Sequence, residues 1–501
     1  MGNVRKAIVV GSGFGGLALA IRLQSSGIQT TVFEKRDRPG GRAYVYEDDG
    51  FVFDAGPTVI TDPDALRELW TQSGRKMEDY VTLLPVDPFY QLCWEDGYRF
   101  DYSDDQASLD RQIALKSPGD VEGYKRFLDY SGELYREGYE KLGAVPFLNF
   151  RDMIRAAPQL IRLESYRSVY SKVASFISDE QLRQAFSFHS LLVGGNPFDT
   201  SSIYALIHAL ERRGGVWFAK GGTGALIQGM VKLFEDLGGT VRLNAPVDEI
   251  VMEEGKARGV IAEGARTDAD VVAVNADVVH LYDHLLRRDP RGVKQAKALK
   301  KKRFSMSLFV IYFGLRGKPA DLKHHMVLFG PRYRELIDDI FKADGLADDF
   351  SLYLHCPSVT DDSVAPPGHS AYYVLSPVPH LGTAAIDWDV EGPRYRDRIL
   401  DYLEARYIPD LRRDLVTCRI FTPFDFRSEL NAHLGSAFSV EPLLTQSAWF
   451  RPHNRDDVIE NLYLVGAGTH PGAGIPGVIG SAKATAGLML ADFEAAGAVS
   501  P

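Results

Sequence analysis

A short apolar run that breaks into glycines, resumes as a helix and returns as a strand ending in an acid constrains this chain more than anything else in it. Residues 7–10, Ala-Ile-Val-Val, have the uniformly apolar texture of a strand buried on both faces. Gly11-Ser12-Gly13-Phe14-Gly15-Gly16 follows, and residues 17–23 carry apolar side chains at helical spacing. In such a unit Gly11 permits the tight turn, Gly13 admits a pyrophosphate against the backbone, and Gly16 lets helix and strand pack closely. The helix N-terminus turns its free N–H groups on the same phosphates. A second strand, residues 30–33, ends at Glu34, the acidic position about 20 residues on that a ribose hydroxyl pair requires. The unit predicts a dinucleotide site built on Gly11, Gly13, Phe14, Gly15, Gly16 and Glu34, with Lys35 next in the chain.

Size and composition bound the rest. A chain of 501 residues is too long for one ordinary core and suggests two or three domains. Hydrophobic residues at 45% and charged residues at 25% are those of a globular protein. The net charge of −10 leaves no global basic field, so no nucleic-acid partner is expected. Cys93, Cys356 and Cys418 lie far apart with no CxxC pair, which suits a reducing compartment and argues against a disulfide framework. The first apolar run is too short for a signal-peptide core, and no run of about 18 uncharged apolar residues occurs, so no membrane span is expected. His324-His325 has no further ligands at metal spacing, and no metal is expected. His189, inside an apolar run, is expected to be a packed core histidine.

Two further glycine turns give the dinucleotide its character. Pro39-Gly40-Gly41-Arg42 comes just past the acid, and Asp54-Ala55-Gly56-Pro57 follows a strand-like triplet. Near the C-terminus, residues 461–464 deliver the chain to Gly466-Ala467-Gly468-Thr469-His470-Pro471-Gly472-Ala473-Gly474-Ile475-Pro476-Gly477, and a helix from Val478 points its N-terminus back. A flavin ring needs this arrangement: close backbone, N–H groups for the pyrimidine oxygens, and a dipole that stabilises the reduced anion. Glu34 followed by a Gly-Gly-Arg turn resembles the FAD-binding oxidoreductases that include amine oxidases and carotenoid desaturases. The C-terminal run resembles the signature of the bacterial-type phytoene desaturases. With residues 186–204, 214–237, 307–315 and 423–455 also alike, the resemblance covers nearly the whole chain.

The resemblance implies an α/β fold with a Rossmann-like FAD-binding domain of the GR2 type, assembled from residues 1–65, 220–290 and 455–495. An α+β substrate domain, residues 66–219 and 291–454, is inserted, with 120–190 helical and membrane-facing. FAD would be held by the first glycine unit together with Gly40, Gly41, Arg42, Gly56, Pro57, Gly468, Gly477 and Val478, and the backbone around Val247 would clamp the adenine. The implied reaction is the stepwise desaturation of 15-cis-phytoene, through phytofluene, zeta-carotene and neurosporene, to all-trans-lycopene. A hydrocarbon has no polar handle, so an apolar tunnel must recognise it, at roughly 25 cal/mol for each Å² buried. No second GxGxxG unit is present, so electrons are expected to pass from FAD to oxygen or a quinone. Lipid substrate and product imply peripheral attachment to a lipid membrane surface, on the cytoplasmic side of the cell membrane. The basic cluster Lys294, Lys297, Lys300, Lys301, Lys302 and Arg303 would favour anionic lipid at roughly 1 kcal/mol each. Alternatives are a related desaturase that stops at neurosporene or takes another carotenoid, an amine oxidase, and a lipid carrier of related fold without enzymatic activity.

One further reading concerns acid–base chemistry. Asp152 and Arg155 follow the apolar stretch 144–150 and share a helix face at i,i+3. Two expectations compete: a buried couple in which Asp152 accepts a proton and Arg155 keeps it ionised, or a helix start with solvated charges.

Overall fold

A computed structural model describes residues 5–498. Five parallel strands form the sheet that the first motif implies, in the order Leu462–Leu464, Val271–Val274, Lys6–Val10, Gln29–Phe33, Thr240–Arg242. The N-terminal apolar run is its centre, and Val10 pairs with both Val274 and Phe33. Both faces are covered, which is why these strands read as unbroken apolar runs. One face carries the helices Phe14–Ser25, Thr223–Asp236 and Ile475–Ala498. A three-stranded antiparallel sheet, Val247–Glu253, Lys256–Ala262 and Ala265–Asp268, lies over the other. Every strand of the parallel sheet comes from residues 1–65, 220–290 or 455–495.

The remaining chain builds a seven-stranded mixed sheet: Leu415–Phe421, Ser307–Arg316, His369–Val378, Leu352–His355, His325–Phe329, Tyr90–Trp94, Arg99–Tyr102. Its strands come from both 66–219 and 291–454. In Ser307–Arg316, Leu308, Val310 and Tyr312 enter one core while Phe309, Ile311, Phe313 and Leu315 enter another. The period-two alternation of a pleated strand therefore feeds two apolar cores at once. The first core, dense in aromatic rings, packs against the helical segment; the second is covered by the helix Trp388–Arg406.

In the helical segment, Val121–Leu134 buries Tyr124, Phe127, Ser131 and Leu134 at i,i+3 and i+4 spacing and runs on into a wider turn, Tyr135–Lys141. The stretch 120–190 expected to be helical is interrupted within: Phe150–Arg162 ends, and Val169–Val173 starts anew under a Ser168 cap. The C-terminal helix begins at Ile475, three residues before the expected Val478. No helix among the described residues is long and apolar enough to cross a membrane.

Candidate functional site

The glycine turns meet at one end of a cavity of about 1060 Å³, whose other end is walled by the aromatic face of the seven-stranded sheet. Gly11, with φ at +96°, turns the strand into the helix; its N–H donates to the Phe33 carbonyl at 2.8 Å. A Cβ on Gly13 would sit 2.8 Å from the Asn275 amide, and one on Gly16 only 2.1 Å from the Gly11 carbonyl oxygen. With its amide turned to satisfy both ends, Asn275 accepts from Gly13 N–H at 3.2 Å and Gly16 N–H at 3.3 Å and donates to the Val465 carbonyl at 3.2 Å. It thus ties the first glycine loop to the last strand. Glu34, buried, takes the Ser12 hydroxyl at 2.6 Å and the Ser12 N–H at 3.0 Å, while Arg36 N–H binds its other oxygen.

Of the residues assigned to the cofactor, Gly11, Gly13, Phe14, Gly15, Glu34, Lys35, Gly40, Gly41, Arg42, Gly56, Pro57, Val247, Gly468, Gly477 and Val478 all line this cavity. Gly16 stands behind it, in the helix–strand contact. Lys35 reaches across to the Asn431 side chain at 3.0 Å, and burial lowers its pKa.

The donors fit a bound dinucleotide. Arg42 is enclosed at the cavity wall, and among the described residues its Nε and one Nη find no partner. Burial depresses its pKa, with Asp277 acting in the other direction. A buried guanidinium with open donors calls for an anion, which a diphosphate supplies. Glycine spacing at Gly13 leaves room for that diphosphate against the backbone.

The C-terminal loop is braced by a residue that the sequence does not single out. Arg451, buried, donates to the carbonyls of Val440, Ala467 and Thr469 at 3.0, 2.7 and 3.1 Å. His470 lines the cavity and is held neutral by burial, its pKa down to about 4.

Beyond the glycines the lining is hydrocarbon and aromatic, including Leu308, Val310, Val327 and Phe329 from the sheet and Phe188, Leu191 and Ile203 from the helical segment. A buried carboxylate, one of several acidic residues on the cavity wall, stands among them. Glu211, fully buried, accepts from Tyr90 at 2.7 Å and lies 3.0 Å from His189 Nε2. His189 is thus buried in the core, packed on Phe188 at 4.2 Å between ring centres.

Asp152 and Arg155 do not form the buried couple. They pair at 3.6 Å, but the Arg155 side chain is 81% exposed, and neither residue lines the cavity. Only Met153 and Leu160 of their helix turn inward. The charges stand on the solvent side, where the first turn of a helix favours an acid. The histidine pair His324-His325, read as isolated, gains a neighbour: Leu352–His355 runs beside His325–Phe329 and places His355 against both.

Comparison with known proteins agrees with this geometry. A family model described as "Flavin containing amine oxidoreductase" matches residues 14–490. The lycopene-forming phytoene desaturase of Pantoea ananas is 67% identical over 491 residues, 98% of this chain and 100% of the relative. That of Pseudescherichia vulneris is 65% identical over 492 residues, with the same coverage. Cyclohexylamine oxidase from Brevibacterium oxydans superposes with a TM-score of 0.63 at 17% identity, covering 98% of this chain and 100% of that one, a likeness of fold.

Proposed function

The chain belongs to the flavin containing amine oxidoreductase family, and from that premise we propose that it is an FAD-dependent phytoene desaturase forming lycopene. The observation that carries this reading is one cavity with a nucleotide-type glycine cradle at one end and an apolar, aromatic hollow at the other.

FAD supplies the acceptor for a hydride taken from a saturated carbon. The protein's part is orientation and exclusion of water. Arg42 and the Gly11–Gly16 turn would hold the diphosphate, Glu34 would take the ribose, and the strand beginning at Val247 would border the adenine. Gly468, Gly477 and the N-terminus of helix Ile475–Ala498 would meet the pyrimidine edge. The hydrocarbon, without a polar handle, is held by area alone, so the lining at Val310, Phe329 and Ile203 sets how far it slides between successive desaturations. Oxygen or a quinone takes the electrons onward.

Attachment to the cytoplasmic face of the membrane completes the proposal. Phe150, Ile154 and Ile161, with exposures of 50, 60 and 65%, fall within about 40° of arc on helix Phe150–Arg162. Arg151, Arg155 and Arg162 follow about 100–140° round, a spacing suited to anionic headgroups. Met153 and Leu160 of the same helix line the cavity, so the lipid-facing helix also borders the tunnel. The basic cluster lies close by: Phe150 packs on Trp449 at 5.1 Å, and Lys302 binds the Phe450 carbonyl. Lys300 and Arg303 are engaged with Asp283 and Glu441, which leaves Lys294, Lys297 and Lys301 to meet lipid.

Incubating the flavin-loaded protein with phytoene in liposomes and separating the products by chromatography tests the activity. Lycopene is expected. Accumulation of neurosporene alone would replace this reading with the shorter desaturation, and bleaching of the flavin by amines but not by phytoene would overturn it.

A further inference from the structure

Each double bond made in a hydrocarbon sheds a proton as well as a hydride, and an apolar cavity gives that proton few acceptors. One wall differs. Tyr353 and Tyr373 stand on adjacent strands facing the cavity, and both meet Thr58, the residue after Pro57. Thr58 Oγ1 is 2.7 Å from Tyr373 Oη and 3.3 Å from Tyr353 Oη, and Tyr373 donates to the Gly56 carbonyl at 3.3 Å. Tyr353 is therefore fixed beside the segment assigned to the cofactor.

Behind it the polar groups continue. Tyr353 Oη lies 2.6 Å from His325 Nδ1, which lies 3.4 Å from His355 Nδ1. Nitrogens of His324, His325 and His355 all lie within 4.8 Å of one another, a spacing that one water bridges. His324 Nδ1 is 2.6 Å from Thr360 Oγ1, and Thr360 is partly exposed. The three imidazoles are 3%, 0% and 1% exposed, and among the described residues none of their Nε2 atoms has a partner.

We propose that this series, Tyr353–His325–His355–His324–Thr360, conducts the proton of each desaturation from the cavity to the surface; the role rests on the desaturase reading above. The C–H bond next to the hydride-losing carbon breaks, its electron pair becomes the new π bond, and the proton binds Tyr353 Oη in the same step as the Tyr353 hydroxyl proton leaves. The Tyr353 hydroxyl proton moves to His325 Nδ1, which begins neutral with its hydrogen on Nε2. It passes to His355 Nδ1, and His355 releases its Nε2 proton to His324 across the gap of at most 4.8 Å that one water bridges. His324 gives up its Nδ1 proton to Thr360, whose own proton goes to water, and reorientation of the His355 and His324 rings restores their starting tautomers for the next proton. The relay carries no electrons, since the hydride leaves with its pair to the flavin. Burial disfavours the charged imidazoles, so each hands the proton on instead of keeping it. Tyr353 is the catalytic residue here, and the histidines act through it.

The test uses flavin-loaded wild-type protein, Tyr353→Phe and His325→Gln with phytoene in liposomes. Both variants should retain flavin content, with desaturation at least tenfold slower, and the solvent deuterium isotope effect on flavin reduction should vanish in Tyr353→Phe. Histidine ¹⁵N spectra without substrate should show an unprotonated His325 Nδ1 whose shift moves in Tyr353→Phe. Wild-type turnover with an unchanged isotope effect in Tyr353→Phe overturns the relay while leaving the desaturase reading intact; absence of lycopene from the wild type overturns that reading instead. One equivalent of zinc in the purified protein, lost in His325→Gln, makes the cluster a metal site and also overturns the relay.

Discussion

At Gly13 the space for a cofactor is set by a single hydrogen. A side chain there meets the Asn275 amide at 2.8 Å and fills the gap that the proposal gives to the diphosphate. Gly13→Val is expected to fold and to lose most of its flavin, read as visible flavin absorbance per mole of protein. Normal flavin content would remove Gly13 from the site. Asp152 is the opposite case, an acid on the solvent side of a helix start. Asp152→Asn should turn over phytoene at the wild-type rate and lose well under about 1 kcal/mol of stability in a thermal melt. A loss of most turnover would return Asp152 to the chemistry. The glycines and Glu34 were legible because their demands are local, a residue type at a fixed offset in one strand–turn–helix unit. Asn275, Arg451, Glu211 and His355 were not, because their partners arrive from strands and loops far along the chain.

At the scale of elements, helix Phe150–Arg162 carries two apolar faces, one toward the cavity and one toward solvent. Replacing Ile154 and Ile161 together by aspartate should leave flavin content unchanged and lower sedimentation with liposomes at least severalfold. The wild type should bind anionic vesicles more than neutral ones, partly reversed by salt because exposed charges are screened within about 8–10 Å. Equal partitioning of the double variant and the wild type would take this helix off the membrane. The sequence showed the apolar stretch and the charges after it, but their angular separation needed the helix to begin at Phe150. Ser307–Arg316 was legible as a strand from its apolar run alone; which side chains fed which core depended on the sheet order.

Across the whole molecule, burial keeps many histidines neutral. His280 and His470 are lowered to about 4 and His324 to about 3, and His208, His325 and His355 lie well below the usual value. In the unfolded chain they titrate near 6.5. Their contribution is complete above that pH and is lost as pH falls towards 4, by up to about 1.4 kcal/mol per unit for each group. Asp54 and Glu441, raised by burial to about 6 and about 7, and Asp277, also raised by burial, work the other way. His380 and His433 join the lowered histidines, so the histidines outnumber the acids. Urea midpoints should therefore be lower at pH 5 than at pH 8, and equal midpoints would contradict the buried, neutral histidines. That the parallel sheet draws strands from both ends of the chain was legible from the motifs there. The strand order was not, because neighbours in the sheet are set by crossovers.

That strand order has a consequence for how the protein is made. The central strand Lys6–Val10 emerges from the ribosome first, yet its neighbour Val271–Val274 follows only after some 260 residues more, and Leu462–Leu464 nearly 200 later still. At about 5–20 residues per second the edge of the first strand waits for tens of seconds. The nucleotide cradle cannot close on its ligand during that interval. Flavin uptake is therefore expected to follow synthesis of strand Leu462–Leu464 and the glycine loop after it.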